Sequence, residues 1–254
     1  MKIKFLSLIP VIAAAVMSLP VCAAENANAA EPVPELKDNQ ILFGSKKIDL
    51  QPDGQLRITA GGVLIAQIYS YYSVNDLKNK KTYWGTFDAP VSSLKREGNK
   101  YVWELKRKIG NEVWKAADQT LTILPDNRLK LDMRLYPPTN PDLQLRGEYG
   151  SQWVVLPLEA AEGAKHEFNG KSYVITRGKE IPASGNSRDK KLENVFYAGN
   201  PAREFTVDAP RETCDRCAGR IYPDKPYNFV RYDFVMKNKT SGTLILDFCK
   251  KVQP

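Results

Sequence analysis

The sequence predicts an all-β chain built as an antiparallel two-sheet β-sandwich, and three observations carry that expectation. Hairpin punctuation recurs along the chain, the segments between turns alternate apolar with polar residues, and no long stretch shows helical period with caps. About a dozen strands in one flat sheet would leave too much apolar face uncovered, so two packed layers are expected.

In chain order, residues 1–24, MKIKFLSLIPVIAAAVMSLPVCAA, set Lys2 and Lys4 before an apolar run from Phe5 to Val21, with small residues after it. That pattern predicts a secretory signal peptide. Pro10 and Pro20 interrupt the run and Ala23 and Ala24 offer a cleavage site, so no transmembrane span is expected once it is removed. Lipoprotein anchoring through Cys22 is the weaker alternative, because Val21 fits poorly before a lipidated cysteine. Residues 25–39 are expected to be a flexible linker and residues 40–254 a single sandwich domain, with the product periplasmic or extracellular.

Within the domain, turns are expected at QPDGQ (51–55), REGN (96–99), LPDN (124–127), FNGK (168–171) and KTSG (239–242). Asn169-Gly170 is the strongest, since that pair tolerates positive φ at both central positions of a two-residue hairpin. Strands are expected in GVLIAQIYSYY (62–72), KYVWELKRK (100–108), NEVWKAADQTLTIL (111–124) and RLKLDMRLY (128–136). In the last of these, Leu129, Leu131, Met133 and Leu135 share one face while Arg128, Lys130, Asp132 and Arg134 share the other. SQWVVLPL (151–158), KSYVI (171–175), YNFVRYDFVMK (227–237) and GTLILDF (242–248) complete the set. KLENVFYA (191–198) reads as a short turn of helix, and GKEIPASGNSRDKK (178–191) as a polar surface loop or a lid over a groove.

The chain carries 37 basic and 29 acidic side chains, and loss of Lys2 and Lys4 with the leader lowers its formal charge from +8 to +6. KNKK (78–81) and RDKK (188–191) are the densest basic runs and read as solvated loops. With no basic stripe and no recognisable reading module, nucleic acid is not an expected partner.

Cys214 and Cys217 form the sharpest motif, RETCDRCAGR. Ala218 stands where haem attachment needs histidine, and a redox pair of the thioredoxin type would open a helix rather than lie between strands. Zinc would have to recruit Cys249 and His166, isolated residues without ligand spacing. A disulfide among Cys214, Cys217 and Cys249 is expected instead, preferably clipping the 214–217 loop to Cys249, with a Cys214–Cys217 bond as the alternative. No metal and no cofactor is implied.

His166 is the only histidine and is expected to lie exposed beside a hairpin turn. No nucleophile elbow, phosphate-cradling loop or zinc-protease helix occurs, so no catalytic residue is assigned. Glu104, Asp118, Asp132, Glu148 and Asp233 read as wet-face strand residues. The aromatics are more suggestive. Tyr71, Tyr72, Tyr83, Trp84, Trp103 and Trp114 are candidate carbohydrate contacts, with Tyr69 beside them, because aromatic faces stack on sugar rings. YYSVNDLKNKKTYWGTFD (71–88) mixes aromatics, amides and lysines and is the expected recognition segment.

The strands around GQLRITAGGVLIAQIYSYY and GKSYVI, the closing pair YNFVRYDFVMK and GTLILDF, and the length resemble the galactose-mutarotase-like supersandwich. The resemblance spans most of residues 40–250 as a pattern. It implies a carbohydrate-active or accessory domain. Aldose epimerases of that group use two histidines and a glutamate, and this chain has only His166, so epimerase activity is not carried over.

The expected function is therefore an exported, non-catalytic protein associated with carbohydrate or an envelope polymer. One rival is a lyase or hydrolase acting on an acidic glycan, with Tyr149, His166 or Arg146 working in a groove; another is a purely structural envelope component.

Overall fold

The computed structural model describes residues 33–146, 150–168, 170–181, 192–224 and 226–249. The expected leader 1–24 with Cys22, Glu148, Tyr149, Asn169 and residues 182–191 of the expected loop or lid at 178–191 lie outside the described residues.

The strands are β1 (Glu35–Lys37), β2 (Gln40–Phe43), β3 (Lys46–Leu50), β4 (Leu56–Ala60), β5 (Val63–Asp76) and β6 (Lys81–Gly85). Next come β7 (Ser93–Glu97), β8 (Lys100–Ile109), β9 (Glu112–Ile123), β10 (Leu129–Leu135), β11 (Leu143–Leu145) and β12 (Ser151–Pro157). A four-residue helix, α1 (Leu158–Ala161), precedes β13 (Lys165–Phe168), β14 (Lys171–Val174), β15 (Leu192–Phe196) and β16 (Phe205–Ala209). The chain closes with β17 (Cys214–Tyr222), β18 (Phe229–Met236) and β19 (Ser241–Asp247).

Among the described residues these strands form two antiparallel sheets of ten and nine strands. The larger runs β1-β2-β3-β4-β5-β12-β18-β17, with β6 and β11 pairing the far half of the long β5. The smaller runs β14-β13-β15-β16-β19-β10-β9-β8-β7. Neither sheet closes into a barrel, and the two pack as the expected sandwich.

Sequence chemistry explains the corners. Gly54, Gly98 and Asn127, in three of the expected turns, take φ of +82°, +63° and +63°, values that glycine and asparagine tolerate best. Asn238 does the same at +56° before β19. Alternation then sorts the side chains. Leu129, Leu131, Met133 and Leu135 are all buried, as their spacing predicts.

Cross-sheet ties supplement apolar packing. Trp103 is fully buried and its Nε1 donates to the Gln51 carbonyl at 2.8 Å, while Gln119 Nε2 donates to the Gly54 carbonyl at 2.7 Å. Buried Lys46 donates to the Pro201 and Phe248 carbonyls at 3.1 and 3.2 Å, and burial lowers its pKa. At Gly242 the layers approach so closely that a Cβ would sit 2.8 Å from Met236 Cγ and 2.9 Å from Gln152 Oε1.

The structure departs from expectation in three places. KLENVFYA supplies β15 rather than a helical turn, because residues 192–196 pair along β16 and Val195 pairs with Glu167. His166 is fully buried rather than exposed: in KHEF the inward positions are His166 and Phe168, and Lys165 and Glu167 face outward. No disulfide joins Cys214, Cys217 or Cys249 among the described residues. Cys214 and Cys217 are thiols 3.9 Å apart, and the preferred clip to Cys249 is not formed. In addition, β1 lies within the stretch expected to be linker. Among the described residues no helix is long and apolar enough to cross a membrane.

Candidate functional site

The outer face of the larger sheet carries a row of planar side chains that crosses five strands. Alternation in β5 sends Ile68, Ser70 and Tyr72 inward and leaves Gln67, Tyr69 and Tyr71 facing out, only half-buried. Trp153 on β12 lies opposite Tyr69, and Ser151 lies opposite Tyr71. On the other side of β12, Trp153 faces Asp233 and Val155 faces Arg231. Arg220 of β17 lies opposite Arg231, and Trp84 of β6 lies opposite Ser73. Register therefore delivers all these side chains to one surface.

They stack. The Tyr71 and Trp153 rings lie 3.9 Å apart at 14°, and Tyr71 and Trp84 lie 6.2 Å apart at 18°. Tyr69 meets Trp153 at 5.7 Å in a tilted contact. A guanidinium covers each end: Arg231 sits 4.1 Å above Trp153 and 5.1 Å from Tyr222, and Arg146 sits 5.0 Å above Trp84. The order along the surface is Tyr222, Arg231, Trp153, Tyr71, Trp84, Arg146. With neighbouring strands about 4.8 Å apart, five strands give a row of roughly 19 Å.

Hydrogen bonds and ion pairs fix the row. Trp153 Nε1 donates to Ser151 Oγ at 2.7 Å. Arg231 and Asp233, two residues apart on β18, make a two-pronged pair with N–O distances of 2.8 and 3.0 Å. Burial raises the Asp233 pKa and the Arg231 charge opposes the rise. Burial also pushes the Tyr69 hydroxyl up to about 12 and raises that of Tyr71, so both phenols are neutral hydrogen-bonding groups at ordinary pH. The result is a series of stacked rings edged by hydroxyls, one carboxylate and the guanidinium groups of Arg146, Arg220 and Arg231. A cleft of about 530 Å³ opens along β17 at the Tyr222 end, lined by Lys179, Glu180, Ile181, Arg220, Tyr222 and Pro223 among others.

Of the six aromatics expected as carbohydrate contacts, the structure brings Tyr71 and Trp84 to this surface. Tyr72, Trp103 and Trp114 are core residues, 2%, 0% and 4% exposed, and cannot touch a polymer. Tyr83, opposite Val74, is half-buried on the opposite face under Lys81, whose ammonium lies 4.7 Å from the ring centre. Trp153, Arg231 and Tyr222 join them without having been singled out. Their signal was the alternation in SQWVVLPL and YNFVRYDFVMK, where Trp153, Arg231 and Asp233 occupy outward positions.

Of the residues of the enzyme reading, Tyr149 lies outside the described residues, and His166 and Arg146 do not meet. His166 is in the interior, where its Nδ1 lies 3.4 Å from the Tyr232 hydroxyl, and Arg146 is on the outer face. Glu104 and Asp118 lie opposite each other across β8 and β9, each held by a lysine, Lys106 at 3.0 Å and Lys115 at 2.8 Å. They read as exposed ion pairs. Among the described residues, no three of His, Cys, Asp and Glu gather as ligands for a metal ion. No family model matches the chain, and no curated protein matches it.

Proposed function

We propose that this chain is an exported, non-catalytic carbohydrate-binding protein of the cell envelope, and that the aromatic row on the larger sheet is its saccharide platform. The observation that carries the reading is the stacked series of Trp153, Tyr71 and Trp84, which stays partly exposed at the outer surface between Arg231 and Arg146. Sugar rings present flat C–H faces that pack on aromatic rings, and their hydroxyls and carboxylates are matched by phenol and guanidinium donors at the edges. Export rests on the leader 1–24.

Titration calorimetry with neutral and uronate-containing oligosaccharides tests the reading. Trp153→Ala, which removes the central ring, is expected to weaken binding about tenfold or more, equivalent to about 1.4 kcal/mol or more. Absence of binding by the natural chain at about millimolar ligand overturns the proposal. New reducing ends or unsaturated products during incubation would favour the enzymatic alternative.

A further inference from the structure

The CxxC segment of β17 has a geometry that neither sandwich packing nor saccharide binding requires. In a regular strand, residues three apart point to opposite faces and their side chains cannot meet. Here a β-bulge intervenes. Cys214 pairs with Met236 and Cys217 with Phe234, with the register shifting between Cys214 and Arg216, so three steps on β17 match two on β18. The inserted residue returns both cysteines to the inner face. Asp215 and Arg216 are left exposed, while Cys214 and Cys217 are 7% and 1% exposed with their sulfurs 3.9 Å apart.

We infer that Cys214 and Cys217 are a redox-active dithiol, a site that takes low-molecular-weight or protein disulfides as oxidant and closes into a bond across the bulge. The bulge sets the two cysteines opposite Met236 and Phe234, two residues apart on β18, a Cα spacing of about 6.8 Å that lies at the upper end of what a disulfide spans. The two residues have distinct roles. Cys214 begins the outermost strand, just after the turn in which Thr213 and Cys214 both donate backbone N–H to the Pro210 carbonyl, and it is the more exposed of the pair. The contact between the two thiols lowers the Cys214 pKa, and that contact together with burial raises Cys217. The more exposed Cys214 is therefore the attacking residue and Cys217 the resolving one.

The step balances. The Cys214 thiolate displaces one sulfur of the incoming disulfide, releasing a thiol and leaving a mixed disulfide on Cys214. Cys217 then gives up its proton and attacks the Cys214 sulfur, releasing the second thiol. Two cysteine thiols are oxidised to one disulfide and one external disulfide is reduced to two thiols. The closed bond ties β17 across its own bulge, and so fixes the register of the outermost strand against β18. This inference stands on the β17 register and is independent of the saccharide reading.

Trypsin supplies the test, because Arg211, Arg216 and Arg220 place the two cysteines in separate peptides, ETCDR (212–216) and CAGR (217–220), while Cys249 falls in TSGTLILDFCK (240–250). The reduced full chain is treated with oxidised glutathione, remaining thiols are blocked with N-ethylmaleimide in acid, and the digest is mapped by mass spectrometry without reduction. The expected product is ETCDR joined to CAGR, two hydrogens lighter than the separate peptides, and it persists in Cys249→Ser. In Cys217→Ser the glutathione adduct should remain on Cys214. Three results overturn the inference: both peptides carrying maleimide, a link from either one to 240–250, or a lasting glutathione adduct on Cys214 of the natural chain. The natural chain's peptide map decides the matter whether or not the variant folds.

Discussion

Acidification should destabilise this protein through one residue, His166. Its ring is fully buried among Tyr173, Phe196, Tyr197 and Tyr232, and its Nε2 has no hydrogen-bond partner among the described residues. Desolvation depresses its pKa from 6.5 to about 3. The folded state therefore resists protonation while the unfolded chain accepts it. Stability is unaffected by this group above about pH 6.5, falls as pH drops from about 6.5 toward 3, and levels off below. At about 1.4 kcal/mol per pH unit, a change from pH 7 to about 4.5 costs about 3 kcal/mol. For a domain of this size that corresponds to a fall of roughly 6–12 °C in the melting midpoint.

The buried tyrosines do not confuse the measurement, because burial raises the pKa of Tyr173, Tyr197 and Tyr232, far from the acid range. Carboxylates do titrate there, so the quantity to compare is the pH dependence of the natural chain against His166→Phe, which keeps an aromatic ring and removes the titration. Urea unfolding at about pH 7 and 4.5 gives both slopes. If the two proteins lose stability in parallel, to within about 0.5 kcal/mol, the assignment to His166 is refuted.

Three further predictions concern packing. Gly242→Ala should cost about 1–3 kcal/mol in urea unfolding, because its Cβ would enter the contact with Met236 and Gln152 of the facing sheet. Trp103→Ala should cost about 3–5 kcal/mol, since it empties a fully buried site and removes the donor to Gln51. Trp84→Ala, at a site 45% exposed, should stay within about 1 kcal/mol in the same assay.

Much of the sandwich was legible because turns and alternation are local signals. Gly54 and Asn127 announce corners that their own backbone freedom explains, and RLKLDMRLY states its wet and dry faces outright. The errors arose where local signals conflict with the partner strand. KLENVFYA has enough helix formers to suggest a turn, yet pairing with Phe205–Ala209 decides its conformation. His166 was misread because a turn beside it outweighed the alternation through Lys165, His166, Glu167 and Phe168. The candidate site was half legible. Composition draws attention to aromatics, but only parity along the strand separates Tyr71 from its neighbour Tyr72, one on the outer surface and the other in the core. Trp153 is a lone aromatic in its strand, and its place depends on cross-strand register with Tyr69 and Asp233, which no local pattern encodes.

A sandwich that never closes presents unsatisfied amides and carbonyls along its rims, and each rim is a template on which a second copy could add a strand. Of the four strands that end the two sheet paths, three carry deterrents to such lateral growth: Lys95, Arg96 and Glu97 on β7, Glu35 and Lys37 on β1, and the distorted backbone of β17 with Asp215, Arg216 and Arg220. The fourth, β14, offers Lys171 and Ser172 before Tyr173 and Val174, the last of these 55% exposed. Resistance to lateral growth is therefore uneven among these four strands, and β14 is where it is thinnest.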